Sequence, residues 1–347
     1  MGRLVPIVVV VACVSSCGTV ARDCRADPPR SAGEYLCQSP PGWDDRDFIL
    51  RLPPNYDATR PVPVVLGLHG GGGKAAGFNK TTCKNGNEDD PSCLSRTADR
   101  HGYAVVFPDG TAAPLVRNQR TWNAGGGKDG LNCASGRACK DGVDDVRYFR
   151  DLLDHLQAIL FVDTRRVHAT GFSNGGAMAH RLGCELAGRI ASIAPAGGAN
   201  QFMAAEGCSP SRPVPVLHIH GVDDPCWEYG GGSRSCLPGD GGRKTGVEDS
   251  LAPHDDRHGW ASINGCTAPP VDEELEDRDP DDHTRITRRS WTGCREGADV
   301  VLLRVDGAGH TWPGGEPYFP RFMIGRVSYD LSASEEVLEF FLAHPMP

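Results

Sequence analysis

One stretch narrows the folds open to this chain. Val167-His168-Ala169-Thr170 leads into Gly171-Phe172-Ser173-Asn174-Gly175-Gly176 and on into a helical pattern whose apolar members are Ala177, Met178 and Leu182. A run with β character, a Gly-x-Ser-x-Gly turn and a helix, in that order, describe a turn too tight for side chains on both sides of the serine. Gly176 adds room for the helix to approach the sheet. Ser173 then stands exposed at the strand's C-terminal edge. The N–H of Asn174, at the head of the helix, points at any negative charge forming beside it. The five-residue pattern alone is weak in a chain with 44 glycines; the strand before it and the helix after it give it weight.

The rest of the chain supplies a sheet for that turn. Val62 to Leu68 is nearly all apolar, as a parallel strand covered on both faces must be. Asp47 to Leu52, Tyr103 to Phe107, Ala191 to Ala196, Pro213 to Gly221 and Val300 to Val305 read as further strands. Asp144 to Leu160 carries apolar residues at helical spacing, and Asp144 and Asp145 at its start suit the helix dipole. Ser332-x-x-Glu335 is a capping box opening a last helix. Strands alternating with helices imply an α/β fold with a mostly parallel central sheet and helices on both faces. After the Val62 to Leu68 strand comes His69-Gly70-Gly71-Gly72-Gly73, where an α/β-hydrolase places its second oxyanion donor; Gly71, or else Gly70, takes that role. A phosphate loop would need Gly-Lys-Ser/Thr, and Lys74 is followed by Ala75.

An alcohol is a poor nucleophile without a base, so partners for Ser173 are sought downstream. The strand ending at Gly221 delivers Asp223-Asp224, and the last strand runs into Gly307-Ala308-Gly309-His310. Serine, acid, histidine is the chain order of the α/β-hydrolase triad. His310 is the expected base, and Asp224 or Asp223 its orienting acid. His254, His258 and His283 lie in polar stretches and His344 follows the final helix, so none sits after a strand as His310 does. His218 and His220 read as packed or hydrogen-bonded strand residues. Trp122 and Trp312 are the candidates for the wall of a substrate cleft, with packing an equal reading for Trp122.

The chain has 347 residues, ample for one large domain. Residues 1–16 read as a signal peptide. Leu4 to Val14 is too short to span a bilayer, and Val14-Ser15-Ser16-Cys17 matches a bacterial lipobox with Cys17 as the lipid acceptor; an ordinary secretory signal is the alternative. Residues 17–40 read as a tether and 41–347 as the catalytic domain. Setting aside Cys13 and Cys17 leaves 12 of the 14 cysteines. Cys24/Cys37, Cys83/Cys93, Cys133/Cys139 and Cys226/Cys236 are close in sequence, and Cys184/Cys208 and Cys266/Cys294 are further candidate pairs; sequence alone leaves the connectivity open, and short disulfide loops suit an oxidising compartment outside the cytoplasm. No cysteine or histidine cluster has zinc spacing, and the acidic loop Asn85 to Asp90 lacks EF-hand spacing, so neither metal nor cofactor is expected. A formal charge of −9 argues against nucleic acid or an anionic membrane surface as partner. A monomer is expected, touching a membrane only through a lipid on Cys17. The acidic run Asp272 to Asp282 reads as a solvated insertion.

These segments together resemble a known esterase family, the one containing extracellular polyhydroxybutyrate depolymerases and feruloyl or acetylxylan esterases (carbohydrate esterase family 1 and its relatives). The matching stretches are Leu68 to Gly73, Pro108-Asp109-Gly110, Trp122 to Gly125, Val143 to Val146, Ala169 to Gly176, His220 to Pro225 and Gly307 to Gly315, covering the chain from about Asp47 onward. Gly-His-Thr-Trp-Pro-Gly-Gly is the most distinctive. The resemblance implies Ser173 as nucleophile, Asp224 rather than Asp223 as acid, and His310 as base, with acyl transfer from an ester to water. Asp223 and the acidic insertion depart from the family pattern. With no polymer-binding domain expected after the catalytic region, feruloyl or acetyl esters of plant polysaccharide are the expected substrates, and polyhydroxybutyrate or a short oligoester the alternative. A prolyl-oligopeptidase-type peptidase would need a propeller or cap domain, and a glycan-binding lipoprotein on a hydrolase scaffold would be expected to have lost a triad member.

Overall fold

The computed structural model describes residues 22–24, 29–113, 119–133, 137–236, 242–253 and 259–347. The signal segment, Cys17, His254 and His258 lie outside them. Its strands are β1 (Arg22–Asp23), β2 (Gly33–Gln38), β3 (Asp47–Leu52), β4 (Val62–Leu68), β5 (Ala104–Pro108), β6 (Thr111–Ala112), β7 (Arg120–Thr121), β8 (Val162–Phe172), β9 (Ile193–Ala196), β10 (Val216–Gly221), β11 (Val271–Glu274), β12 (Arg285–Trp291) and β13 (Val300–Asp306). Eleven form one sheet in the order β1-β2-β3-β5-β4-β8-β9-β10-β13-β12-β11, and β6 and β7 form a separate ribbon. The six strands from β5 to β13 run parallel. β3 pairs antiparallel with β5 on one side and β12 antiparallel with β13 on the other. This is an α/β-hydrolase fold.

Period-two alternation divides the core into two layers. Val64, Leu66 and Leu68 of β4, Ala104 and Val106 of β5, and Val300 and Leu302 of β13 face one layer, where the helices Asp145–Ile159 and Asn174–Glu185 pack. Val65, Val105, Phe107, Val301, Leu303 and Val305 face the other, which the helix Ala333–Ala343 covers with Val337, Leu338 and Phe341. The side chain of Asp144 accepts from the N–H of Arg147 as an N-cap, and that of Ser332 from the N–H of Glu335. Asp145 is fully buried. It pairs with Arg46 and accepts from the N–H of Asn123, so its role is structural.

Part of the expected tether belongs to the fold. Residues 33–38 are β2, paired antiparallel with β3, and Tyr35 and Cys37 are buried in the core. The inward pair is too short to stand out as a period in the sequence. All six cysteine pairs are bonded: Cys24–Cys37, Cys83–Cys93, Cys133–Cys139, Cys184–Cys208, Cys226–Cys236 and Cys266–Cys294. The acidic insertion contributes the edge strand β11. Among the described residues, no helix is long and apolar enough to cross a membrane.

Candidate active site

Ser173 sits between β8 and the helix Asn174–Glu185 with φ 56° and ψ −120°. A side chain rarely adopts that backbone, and the surroundings hold it there. The N–H of Ser173 donates to Ala196 O at 2.8 Å. A Cβ on Gly175 would fall 2.2 Å from Leu68 O, and one on Gly198 2.0 Å from Ser173 O. Both glycines are therefore needed for the backbone crossing that presents the serine.

The two oxyanion candidates come from the head of the helix and from the glycine loop after β4. Asn174 heads the helix. Its buried side chain accepts from Trp122 N at 2.7 Å and donates to Trp122 O at 3.0 Å, which fixes the helix start. The glycine loop is tied from below by His69. Nε2 of His69 accepts from Gly110 N at 3.0 Å, so Nδ1 carries the proton and donates to Gly70 O at 2.8 Å. Burial pushes this imidazole down to about 4, so it is neutral near pH 7. Gly72 N and Gly73 N are spent on Arg120 O and Gly70 O. Gly71 borders the same cleft as Ser173.

His310 reaches that cleft from the loop after β13. Its Nδ1 is 2.6 Å from Asp224 Oδ2, which fixes the tautomer and leaves Nε2 for the cleft side. The other oxygen of Asp224 accepts from Cys226 N at 2.7 Å and Trp227 N at 2.8 Å. Burial opposes a charge on Asp224, but the adjacent His310 and the hydrogen bonds it accepts outweigh that, and its pKa lies well below the usual carboxylate range. Asp223 is exposed. Of the rival histidines, His283 lies in an exposed left-handed turn and His344 Nδ1 is bonded to Phe340 O; neither borders the cleft. Asp224, Cys226 and His310 bring potential metal-ligand atoms within 4.8 Å of one another. Cys226, however, is tied to Cys236, and the other two are bonded to each other.

The cleft holds about 710 Å³. Phe172, Trp227, Tyr318, Phe319 and Met323 give it an apolar side, and Lys74, Arg137 and Lys244 stand at its polar edge. The two expected wall residues are elsewhere. Trp122 and Trp312 have no exposed surface. Trp122 donates its indole N–H to His69 O and packs on Phe149, and Trp312 packs edge-on against Phe78. Sequence reasoning missed the segment Tyr318 to Met323, where Phe319, just before the short helix Arg321–Ile324, and Phe322 within it remain 47% and 87% exposed. Tyr318 also donates its hydroxyl to His310 O at 3.0 Å.

No family model matches the chain. It is 26% identical to feruloyl esterase B of Piromyces equi over 273 residues, which is 78% of this chain and 44% of that protein. It thus spans less than half the length of that relative. It is 27% identical to feruloyl esterase D of Neurospora crassa over 281 residues, 80% of this chain and 79% of that one. Among solved structures it is similar to an acetyl xylan esterase from Aspergillus awamori, with a TM-score of 0.49, 12% identity, and coverage of 80% of this chain and 94% of that one. These similarities fit the carbohydrate esterase family 1-like group of feruloyl esterases and polyhydroxybutyrate depolymerases that the chain's motifs resemble.

Proposed function

We propose that the chain hydrolyses carboxylic esters through an acyl-enzyme on Ser173, with feruloyl or acetyl esters of plant polysaccharide as substrates. The observation that carries this is the strained Ser173 opening into the same cleft as a buried His310–Asp224 pair. His310 Nε2 takes the proton of Ser173 Oγ as Oγ attacks the ester carbonyl carbon. The N–H groups of Asn174 and Gly71 stabilise the tetrahedral oxyanion; one such donor is worth about 3 kcal/mol. The C–O bond to the alcohol breaks, and His310 returns its proton to the leaving oxygen. Water then attacks the acyl carbon, gives its proton to His310, and the acid leaves as Ser173 is restored.

The aromatic side of the cleft suits a hydroxycinnamoyl ring, and the feruloyl esterase relatives support that choice. Polyhydroxybutyrate or a short oligoester is the second reading, favoured by the apolar, open lining. We further propose that residues 1–16 direct export, that Cys17 receives a lipid, and that the catalytic domain takes in β2 and the Cys24–Cys37 bridge ahead of residue 41; six disulfides suit an oxidising compartment. The test is release of ferulate from methyl ferulate, and of hydroxybutyrate from its trimer, by the mature protein and by Ser173→Ala. Loss of both activities in the variant supports the mechanism. Full activity in Ser173→Ala overturns it. Ferulate release without trimer cleavage selects the first substrate class.

A further inference from the structure

Behind the proposed acid lies a chain of buried imidazoles. Trp260 Nε1 donates to His180 Nδ1 at 2.9 Å. His180 Nε2 is 3.1 Å from His218 Nδ1, and His218 Nε2 is 3.1 Å from His220 Nδ1. His220 Nε2 is 2.8 Å from Trp227 O and 3.4 Å from Asp224 Oδ2. The His218 and His220 rings lie within 8° of coplanar. His218 and His220 share a face of β10 by period-two spacing, and His180 meets them from the helix that Ser173 heads.

The direction of this chain is forced. An indole N–H can only donate, so His180 Nδ1 must accept and its proton must sit on Nε2. The same requirement passes to His218 and then to His220. At the far end stand a carbonyl and a carboxylate, which can only accept. A single arrangement satisfies every atom, with all three histidines neutral and protonated on Nε2. Protonating a further nitrogen would set donor against donor. Burial accordingly pushes His180 down to about 3, and burial with its two neighbours pushes His218 well below the ordinary value. Three buried imidazoles cost more desolvation than apolar side chains of like size, so packing alone is a poor account of them.

We propose that His220, oriented through His218 and His180 by Trp260, is a positioning residue for Asp224. Its N–H anchors the Trp227 carbonyl, and thereby the Asp224–Trp227 turn, and presents the positive end of an aligned dipole chain to the carboxylate. Asp224 is thus held ionised, with Oδ2 on His310 and Oδ1 on Cys226 N and Trp227 N. Among the described residues, the other charged or titratable groups facing this assembly are few. They are His310 and Tyr318 across the cleft, Lys244 on Cys226 O, and Tyr229, which packs edge-on to His220, is bonded to Glu248 and lies under Arg304.

This inference rests on the Ser173–His310–Asp224 reading, and the two fail separately. Losing the N–H beside Asp224 concentrates its charge on His310 and favours the imidazolium. The acidic limb of kcat/KM therefore moves up in pH. For His220→Leu we expect kcat to fall about tenfold with KM little changed and that limb to rise by about half a pH unit. His220→Gln, which keeps an N–H at the same reach, should recover most of the rate. Trp260→Phe, far from the cleft, should shift the limb in the same direction by less. Nitrogen-15 NMR of histidine-labelled wild-type protein gives a readout free of activity: three histidines as the Nε2–H tautomer at pH 8, with His180 and His218 keeping it down to pH 5. If Ser173→Ala is inactive but the limb stays fixed in His220→Leu and Trp260→Phe, the inference is wrong and the catalytic reading stands. It also falls if His180 or His218 titrates in that range or if any of the three carries its proton on Nδ1. If Ser173→Ala keeps full activity, the catalytic reading falls instead.

Discussion

Replacing Asp224 with asparagine tests the proposed catalytic geometry most sharply, because shape is kept and only charge and donor pattern change. The amide oxygen of Asp224→Asn can still accept from Cys226 N and Trp227 N, where Oδ1 does now. The amide nitrogen then replaces Oδ2, 2.6 Å from His310 Nδ1. That nitrogen can only donate, so His310 must present a lone pair on Nδ1 and move its proton to Nε2. The base is then occupied on the side facing Ser173. A carboxylate and an imidazolium with charge centres about 4 Å apart interact by about 4 kcal/mol at an effective dielectric of about 20, or about three powers of ten in rate. Adding the wrong tautomer brings the expected loss in kcat to about 10⁴. The assay is initial-rate hydrolysis of methyl ferulate across pH 5 to 9, with Tm by calorimetry to show the variant is folded. Asp223→Asn is the control; that side chain is exposed, and a change of less than about threefold is expected. A loss below tenfold in Asp224→Asn, or an equal loss in Asp223→Asn, would refute the reasoning.

Three further outcomes are expected. Gly175→Ala puts a methyl 2.2 Å from Leu68 O and 2.6 Å from His69 O, both backbone; a loss of about 3 kcal/mol or more should appear in urea unfolding, and an unchanged midpoint would contradict the packing. Acid should destabilise the fold from pH 6.5 downward. His69 is held near about 4 and His168 and His180 near about 3, all by burial. The unfolded chain binds protons there that the folded chain cannot, so stability is complete above the ordinary histidine pKa and is lost as pH falls toward those values. Each of the three costs about 2 kcal/mol at pH 5, so a Tm that is flat between pH 7 and 5 would count against their buried neutrality. Phe319→Ala should raise KM for methyl ferulate several-fold while leaving hydrolysis of an acetyl ester nearly unchanged; equal effects on both would remove Phe319 from the acyl side.

Legibility in the sequence followed range. The turn at Ser173, the loop at Gly71 and the order Ser173, Asp224, His310 could be read because each is set by neighbours within a few residues and by its place after a strand. Trp122 was ambiguous because a loop aromatic carries no period to tell cleft from core; its burial depends on Asn174, His69 and Phe149, which lie far off in the chain. β2 escaped because only Tyr35 and Cys37 turn inward. The imidazole chain joins His180, His218, His220 and Trp260 from three elements, and no local pattern announces a contact between residues 80 apart in sequence. Phe319 and Met323 required the cleft itself to be seen.

The acidic strand β11 also bears on how copies of this chain behave when crowded. The sheet ends there with Val271, Asp272, Glu273 and Glu274, all exposed, and an open edge with unpaired amides is where a second polypeptide adds by backbone hydrogen bonding. Asp272 is held by Arg289 of the neighbouring strand, leaving Glu273 and Glu274 to repel any identical edge brought alongside. Three carboxylates in four residues thus stand along this rim of the sheet. Charge of one sign along an open edge works against edge-to-edge pairing between two copies.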